Sequence, residues 1–372
     1  MTIATSQAIP DDTTSALAFP HYRRAIRPLK VLLAGRLTAL AEPSAAEHQL
    51  PALARALSAL GMEARPWRPW EDSLAGVDCL HLFGTASEHG AVIEAARKHE
   101  VKVVLSPLAG FDPAEQAPPL PLARRVTAWA GVVGRSVCPR FTSWRRQVYQ
   151  VVDLLMPSSN SEAQQLIASY QVPAERVHIV HHGADPRFAQ ADPGPFVRLF
   201  GVRDFVLHAG AIEPGNNQLA FLWAMQDVDV PVVVLGNATP GYEWYLAECR
   251  RVAGARVRFL PAIPHDDPLL AGAYAASACL MVPGGSETAV LTALEAGMSG
   301  TSLVLAEGGC AGEYFGRQAL YVRGDDVHGM RRAVLTAVAR GRSKSLAGHV
   351  RTWFSWNSAA KAVREGYRKV LT

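Results

Sequence analysis

Two glutamates carry the clearest chemical signal in this chain. Glu287 and Glu295 stand in the run Gly284-Gly285-Ser286-Glu287-Thr288-Ala289-Val290-Leu291-Thr292-Ala293-Leu294-Glu295-Ala296-Gly297. Their eight-residue step is a little over two helical turns, which puts both carboxylates on roughly one side of a single helix. Glycines precede Glu287, so it falls near a helix N-terminus. Free N–H groups and the helix dipole favour an anion such as phosphate there. Glu295, further along, is placed to accept hydrogen bonds from a sugar diol. A phosphate seat beside a diol acceptor is what a nucleotide-sugar site needs. The competing reading is an amphipathic helix whose glutamates are merely solvated.

Other side chains invite weaker readings. His181 and His182 follow an extended run and can touch a ligand or serve as linker hydrogen-bonders. His208 lies inside an apolar run and reads as a satisfied core histidine. Cys79 and Cys279 sit in strand-like runs and read as core thiols. The five cysteines form no CxxC pair, which argues against a disulfide framework and a zinc site. A net charge of +4 over 372 residues is too small to argue for nucleic-acid binding. The stretch 119–150 is different: six arginines and four aromatics interleave there without an acidic residue. Such a face can attract anionic lipid or a lipid-linked phosphate, or meet a protein partner. An ordinary helix pair with snorkelling arginines is the alternative.

The elements that must position these groups alternate regularly. Short apolar runs such as Lys30–Gly35, Gly76–Phe83, Val101–Ser106, Val152–Pro157, Asp204–Ala209, Val230–Leu235, Cys279–Pro283 and Ser302–Ala306 read as strands. Longer amphipathic stretches separate them, among them Gln49–Leu60, Ser161–Ser169, Gly241–Val252, Leu269–Ala276 and Glu287–Ala296. Val177–His181 reads as a further extended run closing the first half, and Thr352–Leu371 as one final helix. Alternating strands and helices predict α/β architecture with parallel sheets covered on both faces. The length suits two doubly wound, Rossmann-like domains facing across a cleft. In such sheets ligands sit beyond the carboxyl ends of the strands, which is where the glutamate helix begins. The expected organisation is a disordered leader over 1–27, a first domain over 28–188, a second over 189–350 and a terminal helix over 351–372. Residues Met1–Ala16 lack the basic and apolar regions of a signal peptide, and no run is long and apolar enough to span a bilayer. A cytoplasmic protein is expected, peripheral at the inner membrane face if the 119–150 stretch binds lipid.

Several stretches, taken in order, resemble the family 4 glycosyltransferases of the GT-B fold. They are Asp78–Gly84, Pro157–Ala163, His182-Gly183-Ala184-Asp185, Gly210–Gln218, the Glu287/Glu295 pair, Gly308–Gly316 and Asp325-Asp326. The resemblance implies retaining transfer of a sugar from a nucleotide-sugar donor, of UDP- or GDP-sugar type, to a glycan, lipid-linked or protein acceptor. It implies neither a metal nor another cofactor. By the same resemblance Glu295 binds the donor ribose, Glu287 sits by the transferred sugar, and the backbone of Thr288, Ala289 and Val290 meets the diphosphate. Gly210 belongs to the glycine-rich donor loop, Ile263 lies where the base stacks, and the terminal helix crosses back to the first domain. Ser106 and His182 fall at the acceptor side of the cleft.

The chain departs from the family pattern at several places: Glu42–Gln49 lacks the glycine-rich loop, no His follows Ser106, Pro283-Gly284-Gly285-Ser286-Glu287 replaces Pro-Ser-x-x-Glu, and one further change bears most directly on chemistry. Relatives carry Gly-Arg-Ile-Glu-Pro-Arg-Lys-Asn-Gln where this chain reads Gly210-Ala211-Ile212-Glu213-Pro214-Gly215-Asn216-Asn217-Gln218. The Arg and Lys that grip the leaving diphosphate are replaced. A charge-assisted hydrogen bond contributes roughly 1.5–3 kcal/mol, and one lost transition-state donor costs about 10²–10³ in rate. Asn216 and Asn217 are then the expected neutral donors, with Arg317 as a substitute cation. The alternative expectation is a catalytically impaired, glycosyltransferase-like binding or scaffold protein that partners an active enzyme.

Overall fold

The computed structural model describes residues 27–36, 49–107, 144–284 and 287–371. The expected leader and most of the 119–150 stretch lie outside these residues. Arg27 is described, and its guanidinium is bidentate on Asp78 at 2.8 and 2.6 Å.

The first sheet is built from β1 (Lys30–Ala34), β2 (Glu63–Pro66), β3 (Cys79–Phe83), β4 (Lys102–Ser106) and the short β5 (Leu154–Leu155). All its pairings are parallel, in the order β2-β1-β3-β4-β5. Its helices are α1 (Leu50–Ala59), α2 (His89–Lys98), α3 (Trp144–Val151) and α4 (Asn160–Tyr170). Strand residues alternate between two cores. Val31 and Leu33 face one that includes Leu53 and Leu57, whereas Leu32 and Ala34 face another that includes Ile93 and Leu166. Burial on both faces is why these strands read as unbroken apolar runs.

The second sheet uses β6 (Phe205–Ala209), β7 (Val232–Leu235), β8 (Val257–Leu260), β9 (Ser277–Val282), β10 (Ser302–Ala306) and β11 (Leu320–Val322). It is also parallel throughout, in the order β11-β10-β9-β6-β7-β8. In chain order within this half, that is the 3-2-1-4-5-6 arrangement of doubly wound dinucleotide-type sheets, with its switch point between β6 and β9. Helices α5 (Gly194–Phe200), α6 (Gln218–Ala224), α7 (Glu243–Val252), α8 (Pro268–Ala276), α9 (Glu287–Met298), α10 (Ala311–Phe315), α11 (Val327–Arg340) and α12 (Lys344–Trp353) surround it. The last helix, α13 (Trp356–Leu371), leaves this half altogether. Its Ala360, Val363 and Tyr367 complete the core shared by β1 and α1. The expected crossing back to the first domain is therefore observed.

Two expectations are corrected. Val177–His181 forms no strand beyond one bridge to Leu155. The short β5 gives it little edge to extend, and the N–H groups of His178 and Val180 instead donate to Leu155 and Pro157 carbonyls. The expected single helix over Thr352–Leu371 is broken at Phe354-Ser355. There the Phe354 carbonyl accepts from Ala184 N–H at 2.7 Å, and the Ser355 hydroxyl caps Ser358 N–H. The chain thus passes between the halves twice, side by side. A Cβ on Gly183 would lie 2.7 Å from the Trp356 nitrogen, so glycine is what lets the two passages touch. None of the described helices is long and apolar enough to cross a membrane.

Candidate functional site

Between the two halves lies a cleft of about 1020 Å³. The second half lines it with Gly210 and Ala211 after β6, Gly236–Thr239 after β7, Ala262–Asp266 after β8, Tyr274 of α8, and Leu291, Thr292 and Glu295 of α9. The first half contributes Pro51, Ala52 and Arg55 of α1, and the two passages contribute Gly183, Asp185, Arg187 and Trp356. The loops from the carboxyl ends of β6, β7 and β8 thus converge on one opening, as ligand sites do in open α/β sheets.

Helix α9 is held from its C-terminus. Thr301 N–H returns to the Ala296 carbonyl and Gly300 N–H to Gly297, with Gly300 at φ +82°, the left-handed stop that glycine tolerates best. Val290, Ala293, Leu294 and Ala296 bury its inner face. That packing turns Leu291, Thr292 and Glu295 to the cleft. Glu287, Thr288 and Ala289 form its first turn, and Val290 is buried.

The Glu295 carboxylate is not bare. Oε1 lies 2.6 Å from His265 Nε2, and Oε2 accepts from the Tyr274 hydroxyl at 3.1 Å. Burial, then the facing Glu295 charge, pushes the Tyr274 phenol far above its ordinary pKa, so it remains a donor. His265 Nδ1 lies 3.2 Å from Arg187 Nη2, and the same guanidinium nitrogen donates to the His265 carbonyl. Arg187 stacks over Phe188, 4.7 Å from the ring centre. It belongs to a short 3-10 helix, Pro186–Gln190, whose N-cap is Asp185.

The loop between β6 and α6, which reaches the cleft at Gly210 and Ala211, carries no basic residue. Asn216 Nδ2 donates to the Ala211 carbonyl at 2.9 Å, and Gln218 Nε2 donates to the same oxygen at 2.7 Å. Asn217 adopts a left-handed backbone, φ +55°, and spends its amide on the Gly324 carbonyl at 2.7 Å. His208 holds Gln218 from below: its Nδ1 faces the Met281 carbonyl, which can only accept, so Nε2 is the acceptor for Gln218. Burial pushes His208 down to about 4, consistent with a neutral core histidine. Gly210 has φ +148°, and a Cβ on Gly236 would fall 1.9 Å from the Gly210 carbonyl oxygen. This loop approaches β7 too closely for any side chain at Gly236.

Of the residues singled out in the sequence, Gly210, Ile263 and Glu295 line the cleft. Asn216, Asn217, Val290, Ser106, His182 and Arg317 are not among its lining residues. Ser106 is buried with its hydroxyl 2.9 Å from His81 Nε2, while His81 Nδ1 meets the Tyr367 hydroxyl at 2.8 Å. His182 is buried, held low at about 4 by that burial, and donates its backbone N–H to the Tyr314 hydroxyl. Arg317 is exposed on a 3-10 turn after α10. Cys79 and Cys279 are fully buried, their thiols pushed up by burial. Sequence reasoning missed Arg187, His265 and Tyr274. His265 stands in Pro264-His265-Asp266-Asp267, a turn whose only local signal is the Asp267 cap of α8.

No family model matches this chain. It is similar to the D-inositol 3-phosphate glycosyltransferases of Mycolicibacterium paratuberculosis (strain ATCC BAA-968 / K-10) and Mycobacterium avium (strain 104), each 31% identical over 253 residues. Those matches cover 63% of this chain and 56% and 58% of the relatives, so the chain spans little more than half their length. Among solved structures, a glycosyltransferase from Rickettsia africae ESF-5 superposes with a TM-score of 0.67 at 11% identity, covering 93% of this chain and 99% of that one. Anabaena HepE, solved in complex with UDP and glucose, gives 0.67 at 14% identity, covering 91% and 98%. Sucrose-phosphate synthase from Thermosynechococcus elongatus gives 0.66 at 17%, with 91% and 98% covered. With two parallel sheets, a terminal helix that crosses back and these likenesses, the chain has the GT-B fold and is similar in sequence to glycosyltransferases.

Proposed function

We propose that this protein transfers a sugar, with retention of configuration, from a nucleotide-sugar donor to a glycan, lipid-linked or protein acceptor. The observation that carries this reading is Glu295, presented on the cleft wall by α9 beside the loops that leave β6 and β8. A carboxylate with its two oxygens already oriented by His265 and Tyr274 retains lone pairs for a ribose diol. The first turn of α9 offers N–H groups to the diphosphate at Thr288, Ala289 and Val290, and Ile263 supplies an apolar face for the base. Glu287 opens that turn and is assigned to the transferred sugar. The relatives are named for D-inositol 3-phosphate and HepE was solved with UDP, which favours a UDP-sugar and a polyol acceptor for the first trials.

The test is a titration of UDP, GDP and ADP, and their glucose conjugates, into the whole protein, followed by assay of nucleotide release with acceptor. At least one nucleoside diphosphate should bind, and Glu295→Ala should weaken it about tenfold or more, the worth of a charge-assisted hydrogen bond. Glu287→Ala should leave binding and remove turnover. No binding by any of the nucleotides would overturn the reading. Binding without turnover would favour the impaired, partner-binding alternative, which the absence of a basic residue at Ala211, Gly215 and Asn216 motivates.

A further inference from the structure

We propose that Arg187 and His265 are positioning residues of the donor site, fixing through Glu295 the preference of the cleft for a ribose with both hydroxyls. The inference rests on the glycosyltransferase reading above. A guanidinium has only donors, so His265 Nδ1, 3.2 Å from Arg187 Nη2, must be the accepting nitrogen of the ring. The ring proton then sits on Nε2, aimed at Glu295 Oε1 at 2.6 Å. Arg187 thus selects the tautomer that donates to the carboxylate, and Tyr274 holds the other oxygen. A carboxylate gripped at both oxygens has one orientation, and its remaining lone pairs point in fixed directions toward an incoming diol.

Arg187 is itself anchored. Its backbone N–H caps on Asp185 Oδ1 at 3.0 Å, its guanidinium lies over Phe188, and it also donates to the His265 carbonyl. Phe188 in turn packs edge-on against the His265 and Tyr274 rings, at 6.0 and 5.7 Å between centres. The relay therefore begins on the passage between the two halves and ends on the donor helix. It makes the recognition of the ribose depend on a residue outside the second sheet and its loops.

The experiment compares the best-binding nucleoside diphosphate of the UDP, GDP and ADP set with its 2′-deoxy and 3′-deoxy forms, by calorimetry on the whole protein. The native protein should prefer the ribonucleotide about tenfold or more, because a site built to bond a hydroxyl rejects the analogue that lacks it. In His265→Leu and Arg187→Met that preference should fall below about threefold, while affinity for inorganic pyrophosphate stays within twofold. His265→Gln should recover most of the preference, since its amide can accept from Arg187 and donate to Glu295. A merely structural role would lower ribonucleotide, deoxynucleotide and pyrophosphate affinity together, and that result overturns the proposal. So does an intact preference in both variants when melting curves show them folded. Failure of the native protein to bind any nucleotide removes the functional reading and this one with it.

Discussion

At the scale of single residues, the cleft carries its arginines away from the β6–α6 loop. The β6–α6 loop presents Ala211, Gly215 and Asn216 at the positions where the family pattern it resembles has Arg and Lys, and the Asn216 and Asn217 amides donate to backbone carbonyls. The described arginines that line the cleft, Arg55 and Arg187, belong to the other side, on α1 and on the passage between halves. Restoring the missing pair should therefore be informative. Ala211 is exposed, and a Cβ on Gly215 would meet only Glu213 Oε1 at 3.9 Å, so there is room. The Ala211 carbonyl would keep its bond from Gln218 if Asn216 were replaced. Ala211→Arg combined with Asn216→Lys should tighten nucleoside diphosphate binding by about 10- to 100-fold, the worth of one new charge-assisted bond of roughly 1.5–3 kcal/mol, or more where both cations reach the diphosphate, and leave nucleoside binding unchanged. Calorimetry with a nucleoside diphosphate and its parent nucleoside decides it; equal gains for both would mean the loop does not face phosphate. At this scale the position of Glu295 on the cleft wall was legible from its spacing to Glu287 and the glycines before them. The partners of Glu295 were not, because His265 and Tyr274 reach it across a turn and a helix packing rather than along one periodic face.

Among elements, the strands and the helix they position were the most legible. Each central strand is buried on both faces and so reads as a short apolar run, and Lys30–Gly35 and Ser302–Ala306 translate into β1 and β10 almost residue for residue. The end of the chain was less so. The one local signal of the break in Trp353–Trp356 is Ser355, whose hydroxyl caps the new helix, and the Ala184 N–H that takes the Phe354 carbonyl comes from far away in the chain. The break aims α13 at the first sheet, where the Tyr367 hydroxyl meets His81 in a fully buried polar chain ending at Ser106. Tyr367→Phe removes one partner and leaves a buried ring nitrogen without its bond, which costs about 1–3 kcal/mol. Scanning calorimetry should show the melting temperature lowered by several degrees, at about 2–4 °C per kcal/mol for a domain of 150–250 residues. A change below one degree would mean that His81 and Ser106 satisfy each other without the helix.

Across the whole molecule, the halves are joined by more than their two passages. The Glu313 carboxylate, on α10 of the second half, accepts from Asn160 N–H, Asn160 Nδ2 and Ser161 N–H at 2.7, 3.0 and 2.9 Å, so it caps helix α4 of the first. The neighbouring Tyr314 hydroxyl donates to the Ser158 carbonyl and accepts from His182 N–H. Each region also buries a histidine whose charged form is disfavoured by loss of water: His81 in the first sheet at about 3, His182 at the passage and His208 in the second sheet at about 4. All three are depressed below the unfolded value of about 6.5, so below that pH the unfolded chain binds more protons than the folded one. Stability is then fully present above about pH 6.5 and falls as pH drops toward 4, by up to about 1.4 kcal/mol per pH unit for each histidine. The carboxylates held low by arginines, Asp72 and Asp325, release their contribution only at still lower pH. Melting temperatures measured from pH 7.5 to 5 should therefore decline below 6.5; a flat profile would mean that these rings are hydrated in the folded protein.

The crossing of α13 also sets an order in time. Residues of the first sheet leave the ribosome long before Ala360, Val363 and Tyr367, which fill the core beside β1 and α1. At synthesis rates of about 5–20 residues per second, the roughly 200 residues between β5 and α13 impose a delay of about ten seconds or more. Throughout it, the apolar faces of Val31, Leu33, Leu53 and Leu57 lack their final cover while the second half folds. The half that is made first is thus the half that finishes last, and it stays vulnerable to misassociation until the closing helix is released.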